Sequence, residues 1–513
     1  MNDMDPNTKP TFRRFEEGDT EWELNEKIFQ ADTSYKCPTY VHKTPPCQGS
    51  CPSGHNIRGW LAIARGMDKP PVDDMPWQEY AFRNMVEANP FPATMGRVCP
   101  APCEAGCNRN EVDDYVGING VEQYVGDWAN DNDIKMANPG ADAGRKGAVI
   151  GGGPAGLAAA YFLRLDGHAV TLFEAHPELG GMMRYGIPGY RTPRDMLDKE
   201  IGRIIDMGVD VHLNTRVGTD VSMEELDKAF DAVFWALGAQ TGRPLPNPGW
   251  EGTDNCINGI EFLDAFNKGW VVGTAKKVVV VGGGDTSIDV ASVARRLGNI
   301  TEAKPAAHPD GTVIDWAAHD SAGLLTRAGV KATLTSLFPV EQMTAAEHER
   351  EDAKREGIDI QGGVMPLEVI KDDNGVAIGL KMCKCTMKGN VPEPIEGTEY
   401  ELEADIIIAA IGQMGDLAHG LEDLDNGRGF IDATPTYQVK DKDKHFVGGD
   451  IIRPHLLTTA IGHGRIAAET ITDFLDDGDI HKRPKVDVHH WNLMEELHQR
   501  GKDPAEYPHQ QTM

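Results

Sequence analysis

Two segments of the chain share one pattern of apolar and polar positions, in which a short apolar strand ends in glycines and continues as a helix. The first spans 148–174, with a helix predicted over Ala155–Leu165 and a second strand that closes on an acidic residue. Such glycines allow a tight turn and a close approach to a pyrophosphate, and an acidic residue about twenty positions later binds ribose hydroxyls. Glycine-rich turns also arise for packing reasons alone, but here all the parts occur in order. The pattern predicts a dinucleotide site formed by Gly151, Gly153, Pro154, Ala155, Gly156 and Glu174.

The second segment, 276–297, repeats the pattern with Ser287 where the third glycine would stand. The strand predicted over 331–337 should carry the adenosine ribose of a second nucleotide, and a 2′-phosphate would call for arginine there. No arginine occurs between Lys331 and Glu349, so NADH is predicted as the coenzyme in preference to NADPH. The predicted contacts are Gly282, Gly284, Asp285, Thr286 and Ser336.

The rest of the pattern extends these two units. Strands are predicted at 209–214, 231–238 and 405–413 for the first unit, a strand-rich meander at 364–404 for the second, and a helix over 456–475. Alternating strands and helices are typical of parallel sheets. The predicted fold is α/β, with two Rossmann-like nucleotide domains preceded by an α-helical domain. The predicted boundaries are 1–140 for the helical domain, 146–270 plus 405–480 for the first nucleotide domain, 271–404 for the second, and 481–513 for a tail or linker.

Composition narrows the class of protein. The 513 residues suffice for roughly three domains. A net charge of −30 argues against nucleic acid and anionic membrane surfaces as partners, because both need a basic footprint. No stretch approaches the ~18 apolar residues of a membrane helix, and the N-terminus lacks a signal-type apolar run. We therefore expect a cytoplasmic protein, in which cysteines serve as metal ligands or free thiols.

Six of the nine cysteines fall within residues 37–107, in two C-x3-C units separated by a helical interval, with prolines beside Cys51 and Cys99. Thiolates in proline-bounded loops are typical of iron–sulfur sites. Zinc remains an alternative because paired cysteines also bind zinc, and buried free thiols are a second alternative. The pair Cys383 and Cys385, two residues apart on a predicted strand, is interpreted as structural.

The order of six motifs resembles the small subunit of bacterial glutamate synthase and its relatives. These motifs are the cysteine block, GGGPAGLAAA, LGGMMRYGIP, GGGDTSIDV, AAIGQ and FVGGD. The resemblance covers about 37–475 and implies an FAD domain of the glutathione-reductase type, interrupted by an NAD(P)H domain, behind a helical domain with two [4Fe–4S] clusters. It assigns FAD to the first fingerprint. It adds Gly181, Arg184, Gly449, Asp450, Thr459 and Ala460 to the FAD contacts.

The cysteine block departs from the family pattern, because Thr39 and His42 stand where relatives have C-x2-C. Each four-iron cluster takes four ligands, and the block holds six cysteines. One cluster is predicted on Cys47, Cys51, Cys103 and Cys107. The other is predicted on Cys37 and Cys99, with Glu122 at a position where relatives use glutamine or glutamate, and His42 as the remaining candidate.

Leu337-Phe338 replaces the arginine pair of NADPH-using relatives. With the form of the cysteine block, this resembles more closely the iron–sulfur flavoproteins that work with dissimilatory sulfite reductase, which carry a further C-terminal ferredoxin domain. The resemblance implies an oxidoreductase that exchanges hydride between NADH and FAD and passes single electrons through the clusters to or from a sulfite reductase or ferredoxin-like partner. The alternatives are a glutamate synthase small subunit that passes NADPH electrons to a large subunit, and a zinc-bearing scaffold. A homodimer is compatible with either enzyme. A disulfide reductase is disfavoured because the chain has no C-x-x-C.

Overall fold

A computed structural model describes residues 45–112, 116–269, 275–297, 330–389, 391–476, 478 and 480, and the backbone of 304–305 and 312–313. The predicted ligands Cys37 and His42, most of the insertion 299–331 and the tail 481–513 lie outside these residues. In the part of the chain that is described, no helix is long and apolar enough to cross a membrane.

Short helices make up the region before residue 140. Several begin with proline, whose fixed φ and missing N–H suit the first helical turn. Cys51 and Cys99 directly follow two of these helices in extended conformation, which turns the chain at each cysteine. The α-helices are Pro46–Ser50, Ile57–Ala64, Trp77–Val86, Pro92–Val98, Pro102–Ala105 and Ile118–Asp131, and Asn108–Glu111 is a 3-10 helix.

The first fingerprint lies at the centre of a five-stranded parallel sheet. In spatial order its strands are His445–Val447, Ala232–Trp235, Lys146–Ile150, Ala169–Phe173 and Asp210–His212. Its helices are Pro154–Leu165, Met182–Tyr185, Arg194–Ile205, Met223–Ala229 and Leu457–Asp476, and the last is called the C-terminal helix below. Ile150 pairs with both Phe173 and Trp235, so the glycine turn leaves the carboxyl end of the middle strand. The predicted fold class is confirmed.

A second five-stranded parallel sheet carries the second fingerprint. Its strands, in spatial order, are Asp359–Gly362, Lys331–Ser336, Lys277–Val281, Ile406–Ala409 and Cys256–Asn258, and its helices are Gly259–Asn267, Asp285–Arg296 and Glu347–Arg355. Two segments predicted for the first nucleotide domain belong to the second sheet. Ile407 of the predicted strand 405–413 pairs with Val279 and with Cys256, and Cys256 lies within the predicted range 146–270. A strand buried on both faces has the same apolar pattern in either sheet, so the pattern does not identify its neighbour.

The predicted meander is an antiparallel unit formed by Val364–Lys371, Ala377–Lys388, Val391–Pro394 and Tyr400–Glu403. Cys383 and Cys385 are buried on one of its faces, as the alternation predicts. Short strand pairs occur at Thr241–Gly242 with Gln413–Met414 and at Lys304–Pro305 with Thr312–Val313, and 3-10 turns at Val340–Gln342, Glu422–Leu424 and Gly449–Ile451.

One hydrophobic core joins the N-terminal helices to the first sheet. Trp60 and Phe82 of the helices belong to the same buried cluster as Leu157 and Phe446. The second sheet has a separate core around Val280. The cysteine-bearing helices are therefore fixed against the first nucleotide unit.

Candidate functional site

The first glycine turn has the geometry that a dinucleotide needs. Gly151 adopts φ +107°, and a Cβ on Gly156 would lie 1.9 Å from the Gly151 carbonyl oxygen, so a side chain is excluded there. A Cβ on Gly153 would find only the Gly181 Cα, at 3.8 Å. Gly151 and Gly156 thus leave no room for a side chain, whereas the turn is open at Gly153, where a pyrophosphate approaches the backbone.

Glu174 is buried and supports this turn directly. One carboxylate oxygen accepts the N–H of Gly152 at 2.7 Å, and the other accepts the N–H of His176 at 2.8 Å. The carboxylate therefore fixes the glycine turn, a role that the sequence did not reveal beside its predicted contact with ribose.

The far side of the turn meets the C-terminal helix. A Cβ on Gly449 would lie 3.0 Å from that of Ala155 and 3.9 Å from that of Ala460, so three small residues converge beside the glycine turn. The Thr459 hydroxyl is fully buried and has no partner among the described residues. A buried hydroxyl without a partner is costly. These residues fit a bound FAD, which would supply the missing partner.

Two further residues predicted for FAD play different parts. Arg184 donates through Nε to the Leu179 carbonyl at 2.5 Å and pairs with Glu178 and Asp198, so its guanidinium holds its own loop. Asp450 accepts the N–H of His455 at 3.1 Å, and burial raises the pKa of its carboxyl to about 7.

The second glycine turn accommodates a serine in the third position. A Cβ on Gly282 would lie 2.3 Å from the Ala410 carbonyl oxygen. Ser287 is fully buried and donates its hydroxyl to the Gly284 carbonyl at 2.5 Å. The serine is therefore satisfied within the turn and leaves the Gly284 position open to a ligand. Ser336, at the end of the neighbouring strand, accepts the N–H of Phe338 at 3.2 Å.

A cleft of about 1260 Å³ lies between the second glycine turn and the start of the C-terminal helix. Its lining includes Gly284, Asp285 and Thr286 of the second fingerprint, and Cys99, Asp450 and Thr458 on the opposite side. The glycines of the first fingerprint and Glu174 do not line it. The structure thus brings the second nucleotide turn, the start of the C-terminal helix and one cysteine to a single space.

An ionic cluster in this cleft was not predicted. Arg191 donates to Asp289 at 2.5 Å and to Glu349, and so ties the loop after Gly186 to two helices of the second sheet. The second oxygen of Glu349 is buried without a partner in the described chain, and burial raises the pKa of this carboxyl against the opposing charge of Arg191. The three residues are far apart in the sequence, and no local motif could have connected them.

Three cysteines and one carboxylate line a small cavity next to the cleft. These residues are Cys51, Cys99, Cys103 and Glu122. Burial raises the pKa of the Cys99 thiol to about 12, and burial followed by the neighbouring Cys99 raises that of Cys103. Such thiols stay protonated near neutral pH, and binding a metal ion would require them to lose their protons.

The lining of this cavity differs from the predicted partition of the cysteines. Cys47 and Cys107, predicted to share a cluster with Cys51 and Cys103, do not line the cavity, whereas Cys99 does. Burial raises the pKa of Cys47, and the charges of Cys107 and then of Cys51 raise it further, so Cys47 lies near both of these thiols. Each C-x3-C unit is divided because a short helix ends inside it and changes the direction of the chain.

Glu122 is held in place by a buried amide. Asn89 donates to it at 2.9 Å and accepts the N–H of Phe91 at 2.9 Å, which fixes the orientation of the amide. His55 Nδ1 lies 3.7 Å from the same carboxylate oxygen. Burial raises the pKa of Glu122 to about 8 and lowers that of His55 to about 4. A carboxylate buried beside thiols is a ligand candidate, not the helix-surface group that its sequence position suggests.

A single zinc ion does not suit the described residues. Zn–S bonds of about 2.3 Å require the ligand atoms to converge closely. Within the described ranges, no three His, Cys, Asp or Glu side chains are placed to hold one metal ion. The three thiols that line the cavity are the type of ligand that iron–sulfur clusters take.

Two known protein families match this chain, one over the nucleotide-binding units and one over the cysteine-bearing region. Residues 145–464 match the pyridine nucleotide-disulphide oxidoreductase family. Residues 11–134 match the family described as dihydropyrimidine dehydrogenase domain II, 4Fe–4S cluster.

Several curated proteins are similar over most of the chain. The glutamate synthase [NADPH] small chain of Mycobacterium tuberculosis is 31% identical, over 84% of this chain and 86% of that one. That of Escherichia coli K12 is 30% identical, over 87% and 91%. The β subunit of the NADPH-Fe(3+) oxidoreductase of Geobacter sulfurreducens is 33% identical over 87% of this chain. This chain spans 66% of that subunit's length.

Solved structures agree on the fold. FprA from Mycobacterium tuberculosis in complex with NADPH superposes with a TM-score of 0.52 at 17% identity, over 67% of this chain and 88% of that one. The chain therefore belongs to the pyridine nucleotide-disulphide oxidoreductase family, and glutamate synthase small chains are among its relatives.

Proposed function

We propose that this chain oxidises NADH and delivers the electrons singly to a redox protein. The observation that carries the proposal is the cleft shared by Gly284 of the second fingerprint, Thr458 of the C-terminal helix and Cys99 of the cysteine cavity. A bound FAD would supply hydride exchange with the nicotinamide and the conversion of an electron pair into single electrons for the clusters.

The chain's own residues bind and orient. The two glycine turns hold the two dinucleotides, and Arg191 holds the loop after Gly186 against the second nucleotide unit. The C-terminal helix points its N-terminal end, at Leu457, toward the cleft, where its dipole stabilises negative charge. No side chain is needed as a nucleophile.

Two [4Fe–4S] clusters are proposed, with the ligands divided as the cavity suggests. Cys51, Cys99, Cys103 and Glu122 would hold the cluster beside the cleft. Cys47 and Cys107 would hold the other, with Cys37 and His42 from the segment outside the described residues. The proposal uses the same ligands that were predicted from the sequence and changes only their division between the two clusters.

The preference for NADH is proposed from the strand that ends at Ser336. Leu337 and Phe338 follow this strand, and neither can neutralise a 2′-phosphate. The domain division also remains a proposal, with the strands Cys256–Asn258 and Ile406–Ala409 and the helix Gly259–Asn267 moved to the second nucleotide unit.

A sulfite reductase or ferredoxin-like acceptor in sulfur metabolism remains our proposal for the partner, on the likeness of the cysteine block and the missing arginine pair. The second candidate is a glutamate synthase large subunit, which the matches to small chains of comparable length favour. Cytoplasmic location and a homodimer remain predictions.

Stopped-flow mixing of the purified protein with NADH and with NADPH tests the proposal. We expect NADH to bleach the flavin band first and the cluster bands afterwards, and NADPH to do so more slowly. Analysis should find about eight irons and matching sulfide per chain. A protein without flavin colour, or one that contains zinc in place of iron, would contradict the proposal.

A further inference from the structure

The C-terminal helix contributes one hydroxyl to the cysteine cavity. Thr458 Oγ1 lies 3.9 Å from the sulfur of Cys99, within hydrogen-bonding range for sulfur. Both residues line the small cavity and the large cleft, so this pair forms part of the wall between them. Thr458 is buried, and the next residue, Thr459, bears the unpartnered hydroxyl assigned to FAD.

The backbone of Cys99 is fixed independently of this contact. Its N–H donates to the Met95 carbonyl at 2.9 Å, and its carbonyl accepts the Asn119 side-chain N–H at 2.7 Å. The sulfur is therefore presented to Thr458 by a rigid backbone. A thiolate ligand can only accept, so Thr458 must be the donor when Cys99 binds iron.

We infer that Thr458 sets the reduction potential of the cluster on Cys51, Cys99, Cys103 and Glu122 by donating a hydrogen bond to the Cys99 sulfur. This rests on the proposed function. A donor to a cluster sulfur stabilises the additional negative charge of the reduced cluster and raises its potential. Thr458 thereby favours electron transfer from flavin to cluster, and it acts as a positioning and tuning residue, not as a ligand.

The test compares variants that keep or remove the hydroxyl. Thr458→Val preserves shape and removes the donor, whereas Thr458→Ser keeps the donor. The matched control is Thr470→Val in the same helix, because the Thr470 hydroxyl donates to the Ile466 carbonyl at 2.9 Å, one turn earlier. Potentials are read from redox titrations followed by EPR for the clusters and by visible absorption for the flavin.

We expect Thr458→Val to lower the potential of one cluster and to slow its reduction after the flavin, while Thr458→Ser and Thr470→Val retain the wild-type value. Where Thr458→Val does not assemble the cluster, Thr458→Ala carries the same expectation. Equal potentials in the variants with and without the hydroxyl, at full iron content, would overturn the inference. Wild-type protein without a cluster EPR signal would instead overturn the proposed function.

Discussion

The carboxylate of Glu200 accepts a hydrogen bond from the backbone N–H of Ala93 at 2.7 Å. Glu200 lies on a helix of the first nucleotide unit, and Ala93 lies in the first turn of the helix that ends before Cys99. The N–H and hydroxyl of Thr94 donate to the same carboxylate at 3.1 and 2.5 Å. One buried carboxyl thus fixes the cysteine-bearing region on the nucleotide-binding unit.

This carboxyl should make stability depend on pH. Burial raises the pKa of Glu200 to about 7 from 4.5, against the hydrogen bonds that lower it. The folded protein therefore holds this proton more tightly than the unfolded chain. The resulting stabilisation is complete below the unfolded pKa and is lost as pH rises through about 7, by up to about 1.4 kcal/mol per pH unit. The melting temperature of the wild type should fall relative to that of Glu200→Gln as the pH rises from 5 to 8, because glutamine does not titrate. A difference between the two melting temperatures that stays constant over this range would contradict the assignment.

Gly156→Ala should reduce FAD content and thermal stability. The added methyl would meet the Gly151 carbonyl oxygen, which a packed turn cannot move aside. Gly202→Ala is the control, because its Cβ would have no neighbour within 4 Å and alanine favours a helix by about 1 kcal/mol. Flavin absorbance per chain and the melting temperature are measured. Full FAD occupancy in Gly156→Ala would refute the proposed role of this turn.

Glu122→Ala should remove one of the two proposed clusters. The change takes away a proposed ligand and leaves Asn89 without its acceptor, so iron content should fall by about four per chain. Glu79→Ala, which removes a surface carboxylate paired with Arg83, is the control. Iron analysis and EPR decide the matter, and spectra identical to wild type would exclude Glu122 as a ligand.

The partition of the cysteines can be tested by serine substitution. Cys51→Ser and Cys99→Ser should abolish the same EPR signal, whereas Cys47→Ser and Cys107→Ser should abolish the other. The grouping predicted from the sequence, after the family resemblance, instead places Cys47 and Cys51 on the same cluster. Loss of one common signal in Cys47→Ser and Cys51→Ser would restore that grouping.

Coenzyme preference should respond to arginines after Ser336. In Leu337→Arg/Phe338→Arg we expect the KM for NADPH to fall about tenfold, because a charge-assisted hydrogen bond contributes about 1.5 kcal/mol. Val376→Arg places an added charge at an exposed position of the antiparallel unit and serves as the control. Steady-state kinetics with both coenzymes give the ratio. An unchanged NADPH KM would mean that the 2′ position lies elsewhere.

Local features were largely predictable. The first helix, expected over Ala155–Leu165, spans Pro154–Leu165, and the C-terminal helix, expected over 456–475, spans Leu457–Asp476. Glycine turns and helix periodicity depend on neighbouring residues, so the sequence contains them directly. Ser287 shows what such local patterns do not predict. Only the hydrogen bond from its hydroxyl to the Gly284 carbonyl explains how a serine fits at the third glycine position of the second turn.

The sequence by itself determined the two glycine turns, the parallel α/β class and the supply of thiolates, because each depends on residues within one turn or one strand. Only the tertiary structure decided that Ile406–Ala409 joins the second sheet, that Cys99 shares a cavity with Cys51, and that Arg191 meets Asp289. These relationships join residues that are distant along the chain. Apolar strands and cysteines carry no local mark of their partners, so packing alone selects among the alternatives.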